Sequence, residues 1–437
     1  MHTNTSAVAN SKLTLNAGAL PSRRQFLGTT ALAGAATLAI GRGVHAAGSD
    51  RLRIGLVGCG GRGSGAAMDA LSADPNCQIV ALGDTFADRL ESSLAGMQAS
   101  EYQDRIDVPK DRQFVGFDAY KQVIDSGIDI VLLCTSPHFR PLHLEYAVQA
   151  GKHVFCEKPV AVDAAGVRRV LASCAAAKDK KLNIVSGLCY RYEPAKIATM
   201  REIHDGRIGD IRAIHVTYLT GELWHHPRDP KWSEMEYQMR NWLYYTWLSG
   251  DHIAEQHIHS LDKGAWALGD EAPVSCVSLG GRQTRTDPRF GHIYDHFSSV
   301  FEYKNGMRLF SDCRQQNGCH VDVNDLIYGS KGTANIMKHA ITGEQPWKFT
   351  GKNENMYRAE HAALFQALQS GDTINNGQYM CQSTLMAIMG RLSAYTGRKV
   401  TWEEALNSQE NLTPKEYSWG DVSIPHEIAM PGITKIA

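Results

Sequence analysis

The chain has ten cysteines but no Cys-x-x-Cys pair, which excludes a zinc or redox framework built on that spacing. It has no surplus of either charge. Its 45 Lys and Arg stand against 46 Asp and Glu, so no basic stripe recommends nucleic acid and no basic amphipathic helix recommends a membrane surface. It has no internal repeat, and no low-complexity tract beyond its leader. Long apolar runs are missing too: the stretch Thr29 to Ile40 is too short to span a bilayer. What remains is the composition of an ordinary globular protein, 437 residues with 43% apolar. That is more than one hydrophobic core usually serves, so two domains are expected.

The first 47 residues read as an export signal. Residues 22–28 are Ser-Arg-Arg-Gln-Phe-Leu-Gly, the short apolar stretch follows, and small residues up to Ala46 and Ala47 offer a cleavage point. The pair Arg23–Arg24, with Phe26-Leu27 behind it, points to the twin-arginine route and a periplasmic or otherwise exported protein. Among the cysteines, only Cys313 and Cys319 are close enough in sequence to suggest a disulfide, and spacing alone does not supply the geometry.

From residue 48 to 189 apolar strands alternate with helices. Strands are expected at Arg51–Val57, Cys77–Gly83, Phe114–Gly116, Ile128–Cys134, His153–Cys156 and Asn183–Ser186. Helices are expected at Ser64–Ala73, Ala87–Gln98, Asp118–Asp125, Leu142–Ala150 and Ala164–Lys178. This alternation implies an α/β fold, a doubly wound parallel Rossmann sheet. From 190 to 355 the strand-like runs Ile211–Thr220, Val274–Gly281, His296–Tyr303, Met307–Ser311 and Val323–Tyr328 follow one another without regular helices. They imply an α+β domain with a large, open, mostly antiparallel sheet. Asn305-Gly306 is a hairpin-turn signal between two of them. Residues 356–437 carry helices at Glu360–Gln369 and Gln382–Thr396, expected to pack back on both domains.

Gly58-x-Gly60-x-x-Gly63 follows the first strand and opens a helix. Glycines there permit a tight turn and a close approach of backbone to a pyrophosphate, with the helix amino end facing the anion. Asp84 ends the next strand, where a carboxylate accepts hydrogen bonds from a ribose diol and repels a 2′-phosphate. That favours NAD, while Arg62 and Arg89 leave room for NADP. Glu157-Lys158-Pro159 ends a further strand of the parallel sheet, at the edge where ligands gather. Pro159 fixes the local backbone, as an aimed ammonium needs.

Gly58–Gly63, Thr135-Ser136-Pro137, His143 and Glu157-Lys158-Pro159 together resemble the oxidoreductase family of glucose–fructose oxidoreductase, inositol dehydrogenase and MocA. The resemblance runs from about residue 51 to beyond 400. It implies NAD(P)-dependent redox chemistry on a sugar or polyol, in a protein that often forms oligomers through its open sheet. It also implies that Lys158 touches both substrate and cofactor, that Thr135, Ser136 and Glu157 line the nicotinamide ribose side, and that His143 and Arg191 stand near the cofactor.

The stretch Gly250 to Asp262 holds Asp251, His252, Glu255, His257, His259 and Asp262. The resemblance makes His259 the catalytic imidazole, followed by Asp262; Glu255 stands where the family has Asp. If the segment is one helix, Glu255 and His259 share a face and the carboxylate orients the imidazole. Asp251, His257, Asp262 and Trp247 are assigned to the substrate, with Trp242, Tyr244, Tyr245 and the loop Trp224-His225-His226 nearby. His257-x-His259 with Glu255 also fits a metal site, but no separate ligand cluster is evident and no metal is assigned.

The function expected is hydride transfer between a carbohydrate and a nicotinamide, with His259 as general acid or base and Lys158 stabilising charge on the same oxygen. Export with the dinucleotide aboard favours a tightly held cofactor, reset within each cycle. The alternative is an NAD-dependent glycoside hydrolase working by transient oxidation, elimination and reduction. The Tyr-x-x-His signature of one hydrolytic branch is missing here.

Overall fold

The computed structural model describes residues 51–424 and 427–435; the leader and its Arg23–Arg24 pair lie outside them. Six strands form the first sheet: β1 (Leu52–Val57), β2 (Cys77–Asp84), β3 (Gln113–Val115), β4 (Ile130–Leu133), β5 (His153–Cys156) and β6 (Ile184–Ser186). Their order is β3-β2-β1-β4-β5-β6 and every pairing is parallel. The central strand β4 is an unbroken apolar run, and Ile54, Leu56 and Ile130 to Leu133 are fully buried, because helices cover both faces of a doubly wound sheet.

Nine strands form the second sheet: β7 (Ile211–Thr220), β8 (Ser275–Gly281), β9 (His296–Glu302), β10 (Arg308–Gln315), β11 (Asp322–Gly329), β12 (Gly332–Asn335), β13 (Ala340–Gly343), β14 (Trp347–Lys348) and β15 (Val400–Thr401). Only β7 and β10 pair in parallel; the other pairs are antiparallel. Burial alternates along β9 and β10, so one face packs on the core and the other looks outward. The Asn305-Gly306 turn closes the β9–β10 hairpin, with Gly306 N–H donating to the Tyr303 carbonyl at 2.9 Å.

Several elements exceed the sequence expectation. β10 continues past Ser311 to Gln315, and the strands β12 to β15 are too short to leave an alternation. Helices Pro194–His204 and Glu234–Arg240 stand where no regular helix is expected. All ten cysteines are free; Cys313 is buried and Cys319 exposed, so the suggested disulfide is not formed. Among the described residues, no helix is long and apolar enough to cross a membrane.

The chain beyond residue 355 is stitched into both sheets. Asn375 bridges to Ile184 at the edge strand β6, and β15 extends the second sheet beside β8. The helix Met356–Ser370 packs on the helix Gly61–Ala73 of the first domain. The helix Gly377–Thr396 packs on the helix Ala164–Asp179 and on β8, and is buried from Met380 to Thr396 without a break. A helix buried all round is a shared core element rather than a surface one.

Candidate active site

β1 ends at Val57, and the chain turns through Gly58 into the helix Gly61–Ala73. Gly58 has φ 97°, and a Cβ there would stand 2.6 Å from the Thr135 nitrogen; a Cβ on Gly63 would stand 1.8 Å from the Gly58 oxygen. Only glycine lets strand and helix approach this closely. At Gly60 and Gly61 nothing lies within 4 Å of where a Cβ would be, and Gly60 supplies no side-chain cap. The helix thus presents uncapped N–H groups over open space, which is an anion-binding end. A cavity of about 520 Å³ beside it reaches Gly60, Gly61, Asp88 and Arg89.

Asp84 closes β2. Its Oδ2 accepts from the Cys59 N–H at 2.6 Å and its Oδ1 from the Phe86 N–H at 2.9 Å, and burial pushes its carboxyl above the ordinary range. Each oxygen keeps a lone pair for a ribose hydroxyl.

Lys158 leaves β5 through a cis peptide bond to Pro159. Its Nζ donates to the Glu255 carbonyl at 2.5 Å and stands 3.6 Å from Glu255 Oε1. Glu157 is buried; its Oε2 accepts from the Lys158 N–H at 3.1 Å and its Oε1 from Arg62 Nε at 2.5 Å. Arg62 also reaches Asp69 at 3.2 Å and Glu360 at 3.5 Å, and lies 4.7 Å over the Tyr357 ring. Arg62 and Glu157, both expected at the cofactor, are committed to each other. A guanidinium facing three carboxylates is held by charge-assisted bonds and is not free for a phosphate.

Thr135 and Ser136, half-buried after β4, are tied to the Lys158 loop by Arg140. Its Nη2 donates to the Thr135 carbonyl at 2.6 Å and its Nη1 to the Pro159 carbonyl at 2.5 Å. No motif marked Arg140 in the sequence. His143 lies beneath Thr135, its Nδ1 3.4 Å from Thr135 Oγ1 and its ring stacked on Tyr120 at 4.1 Å. Burial pulls its pKa down to about 3, so it braces Thr135 as a neutral imidazole.

The stretch Gly250 to Asp262 is not one helix. A short turn, His252–Glu255, ends at Gln256, and a second helix runs Ile258–Ala267. Gln256 Oε1 is held by Gln315 Nε2 at 2.8 Å and Thr220 Oγ1 at 3.4 Å, and the His257 N–H reaches back five residues to the His252 carbonyl. This break removes the shared face, and Glu255 turns to Lys158 instead of orienting His259. His259 Nδ1 is buried with no hydrogen-bond partner. Its ring and that of Tyr190 meet nearly at right angles, with centroids 5.2 Å apart, a contact no sequence signal announced. Burial, then the charges of Lys158, Lys263 and Arg62, hold its pKa well below the ordinary histidine value. Lys158, bonded to the Glu255 carbonyl four residues before His259, is near enough to act on that imidazole electrostatically.

Other expected residues are held by partners inside the protein. Trp247 is fully buried and donates from Nε1 to Gln238 Oε1 at 2.7 Å. Asp251 is fully buried against His252, Tyr395 and the Tyr294 N–H. His257 Nε2 bonds Ser311 Oγ at 2.6 Å in the core. Asp262 holds Arg191 through both oxygens at 2.9–3.0 Å, and Arg191 also bonds Asp270 at 2.6 Å and stacks 4.0 Å over Tyr379. A desolvated guanidinium requires such partners, so Arg191 and Asp262 are a structural ion pair rather than cofactor and substrate contacts. Among the described residues no group of three His, Cys, Asp or Glu is arranged to hold a metal.

The uncapped helix end, the empty space over Gly60 and Gly61 and the Asp84 acceptor fit a dinucleotide. Residues 52–185 match the oxidoreductase family with an NAD-binding Rossmann fold, and residues 197–335 match the GFO/IDH/MocA C-terminal domain. Inositol 2-dehydrogenase of Klebsiella pneumoniae is 30% identical over 297 residues, 65% of this chain and 74% of that one. Inositol 2-dehydrogenase of Rhizobium meliloti is 28% identical over 283 residues, 64% of this chain and 74% of that one. The fold is also that of aldose-aldose oxidoreductase from Caulobacter crescentus, with TM-score 0.62 and 21% identity over 80% of this chain and 99% of that one. The WlbA dehydrogenase of Bordetella pertussis, solved with NADH and UDP-GlcNAcA, gives TM-score 0.60 at 19% identity over 80% and 98%. With its glycine turn, its Lys158–His259 pair and these matches, the chain belongs to the GFO/IDH/MocA family of NAD-binding oxidoreductases.

Proposed function

We propose that this protein oxidises a secondary hydroxyl of a sugar or polyol, or runs the reverse reduction, in the cleft where Lys158 meets His259. The observation that carries this is a linked set of contacts: Lys158 bonds the Glu255 carbonyl and acts electrostatically on His259, while Arg62 of the glycine turn bonds Glu157, the neighbour of Lys158. NAD, when bound, supplies the hydride acceptor. The N–H groups of Gly60 to Gly63 would hold its pyrophosphate, and Asp84 would accept from its adenosine ribose, which favours NAD over NADP.

His259 takes the hydroxyl proton. Its depressed pKa keeps the imidazole neutral at pH 7, so it starts as a base. Lys158 donates to the same oxygen as negative charge grows there. The Glu255 carbonyl and carboxylate hold that ammonium in place, and Tyr190 backs the imidazole. The inositol 2-dehydrogenase relatives support a polyol or sugar as substrate. The test is absorbance at 340 nm with NAD and a panel of polyols and aldoses. NADH formation that vanishes in Lys158→Ala, while that variant still binds NAD, supports the assignment. Turnover like that of the unaltered protein removes Lys158 from the chemistry.

Export by the twin-arginine route remains part of this proposal, resting on Arg23–Arg24. Replacing both by Lys is expected to hold the protein in the cytoplasm; unchanged export would refute the route. A homo-oligomer is also proposed, through the outer face of the second sheet. Val277 (49% exposed), Leu279 (73%) and Phe310 (40%) leave an apolar strip there. A monomer by light scattering would end that part.

A further inference from the structure

The carboxyl ends of β2, β3 and β4, where the adenosine half of a dinucleotide lies in a doubly wound fold, carry an aromatic cover made by distant segments. Phe86 follows Asp84 at the end of β2, and Phe117 follows β3. Trp419, from the carboxyl-terminal tail, meets both rings, with centroids at 5.5 Å and 4.9 Å. Tyr417 meets Phe117 at 5.8 Å, and its hydroxyl bonds His138 Nε2, just beyond β4, at 2.7 Å. From another direction Arg240, ending the helix Glu234–Arg240, grips both oxygens of Asp88 at 3.0 Å. Its guanidinium lies 4.1 Å over Phe86 and 5.0 Å over Trp232. Asp88, tied to Arg240, and Arg89, 3.2 Å from His226 of the preceding loop, line the cavity that opens at Gly60 and Gly61.

We propose that Trp419 and Arg240 form the outer wall of the adenosine pocket, and that this wall sets how fast the dinucleotide leaves. The inference rests on the dinucleotide reading above and adds retention to it. Three observations support it. The wall stands at the strand ends that Asp84 marks as the ribose site. Trp419 is 49% exposed despite touching two Phe rings, so it keeps aromatic surface on which a planar base can stack. And the wall comes from outside the Rossmann domain. The tail and the Glu234–Arg240 helix must both withdraw before a bound adenosine faces solvent, and such an opening step limits release.

The experiment loads the full-length protein with NADH, removes free nucleotide by gel filtration, and chases with excess NAD while NADH fluorescence is followed. Release is expected to be at least about ten-fold faster in Trp419→Ala and in Asp88→Asn, which loosens Arg240 without removing it. Trp419→Phe, keeping a flat ring, is expected to remain slow. Release within two-fold of the unaltered protein in both Trp419→Ala and Asp88→Asn overturns the wall. Unaltered protein that takes up no NADH overturns the dinucleotide reading itself, and the wall with it, so the two failures are told apart by the starting signal.

Discussion

Two polar clusters grow from the same stretch, Gly250 to Asp262, and they end in opposite states. On one side Asp251, His252 and Cys313 form a closed chain. His252 Nδ1 is 2.9 Å from Asp251 Oδ1, its Nε2 is 3.5 Å from Cys313 Sγ, and Tyr395 and the Tyr294 N–H satisfy the other Asp251 oxygen. Drawn on paper this is an Asp–His–Cys triad. In the fold it is buried, and burial raises the Cys313 thiol well above its ordinary pKa, so no thiolate is on offer. On the other side His259 is half-buried, with an unpartnered Nδ1, and the charged Lys158 stands beside it. Residue type does not separate the two clusters. What separates them is burial and what stands alongside: the first set is closed on itself in the core, while the His259 ring is only half-buried and has Lys158 beside it.

The sharpest way to break this comparison is at Lys158. Lys158→Ala is expected to lower kcat by about 10³-fold or more, with NAD binding retained, by steady-state kinetics and nucleotide titration; His252→Ala is expected to act on the melting temperature instead. Equal losses of kcat in the two would erase the distinction. Next is Asp262→Ala, which strips Arg191 of its main partner. Leaving a buried charge short of its partner costs about 3–5 kcal/mol, read by urea unfolding. A loss under about 1 kcal/mol would make Asp262 a site residue after all.

Acid is expected to attack the closed regions more gradually. His138, His143, His257 and His361 are buried, with pKa values pulled down to about 4, 3, 3 and 3, chiefly by burial. Unfolded, they take up protons near pH 6.5. Stability is therefore complete above that value and is lost as pH falls through it toward 3–4, by about 2 kcal/mol per histidine at pH 5. Melting curves at pH 7.5 and pH 5 check this; equal midpoints would contradict it. The smallest effect is expected at Glu360. Burial, with Glu157 close by, pushes its carboxyl well above the ordinary range, so the uncharged isostere Glu360→Gln is expected to change stability by no more than about 1 kcal/mol. A larger loss would mean the carboxylate is charged.

The parallel sheet was legible because strands buried on both faces leave continuous apolar runs, and the glycine turn because its spacing has a steric cause that the Gly58 and Gly63 contacts bear out. Lys158 was singled out by its place at a strand end ahead of Pro159 as well as by resemblance, His259 through resemblance alone. The break at Gln256 was not, since Gly250 to Asp262 has nothing locally against a helix. The break comes from Gln315, Thr220 and Ser311, which reach in from β7 and β10. The same holds for Arg191 and Asp262: a sequence shows two charges but not that they face each other. Arg140 and Tyr190 were missed for the complementary reason, because their importance lies in what stands beside them.

The long buried helix Gly377–Thr396 has a consequence for engineering and for descent. It lies under both sheets, and its Ser383 hydroxyl bonds Asp262 at 2.7 Å while its Arg391 bonds the Val162 carbonyl at 2.9 Å. The Rossmann half and the second-sheet half are therefore not cartridges that can be exchanged at a linker. A chimera that swaps one half must inherit this helix from the same parent as its contacts, and new specificities in such a scaffold are reached more readily by changing loops than by shuffling domains.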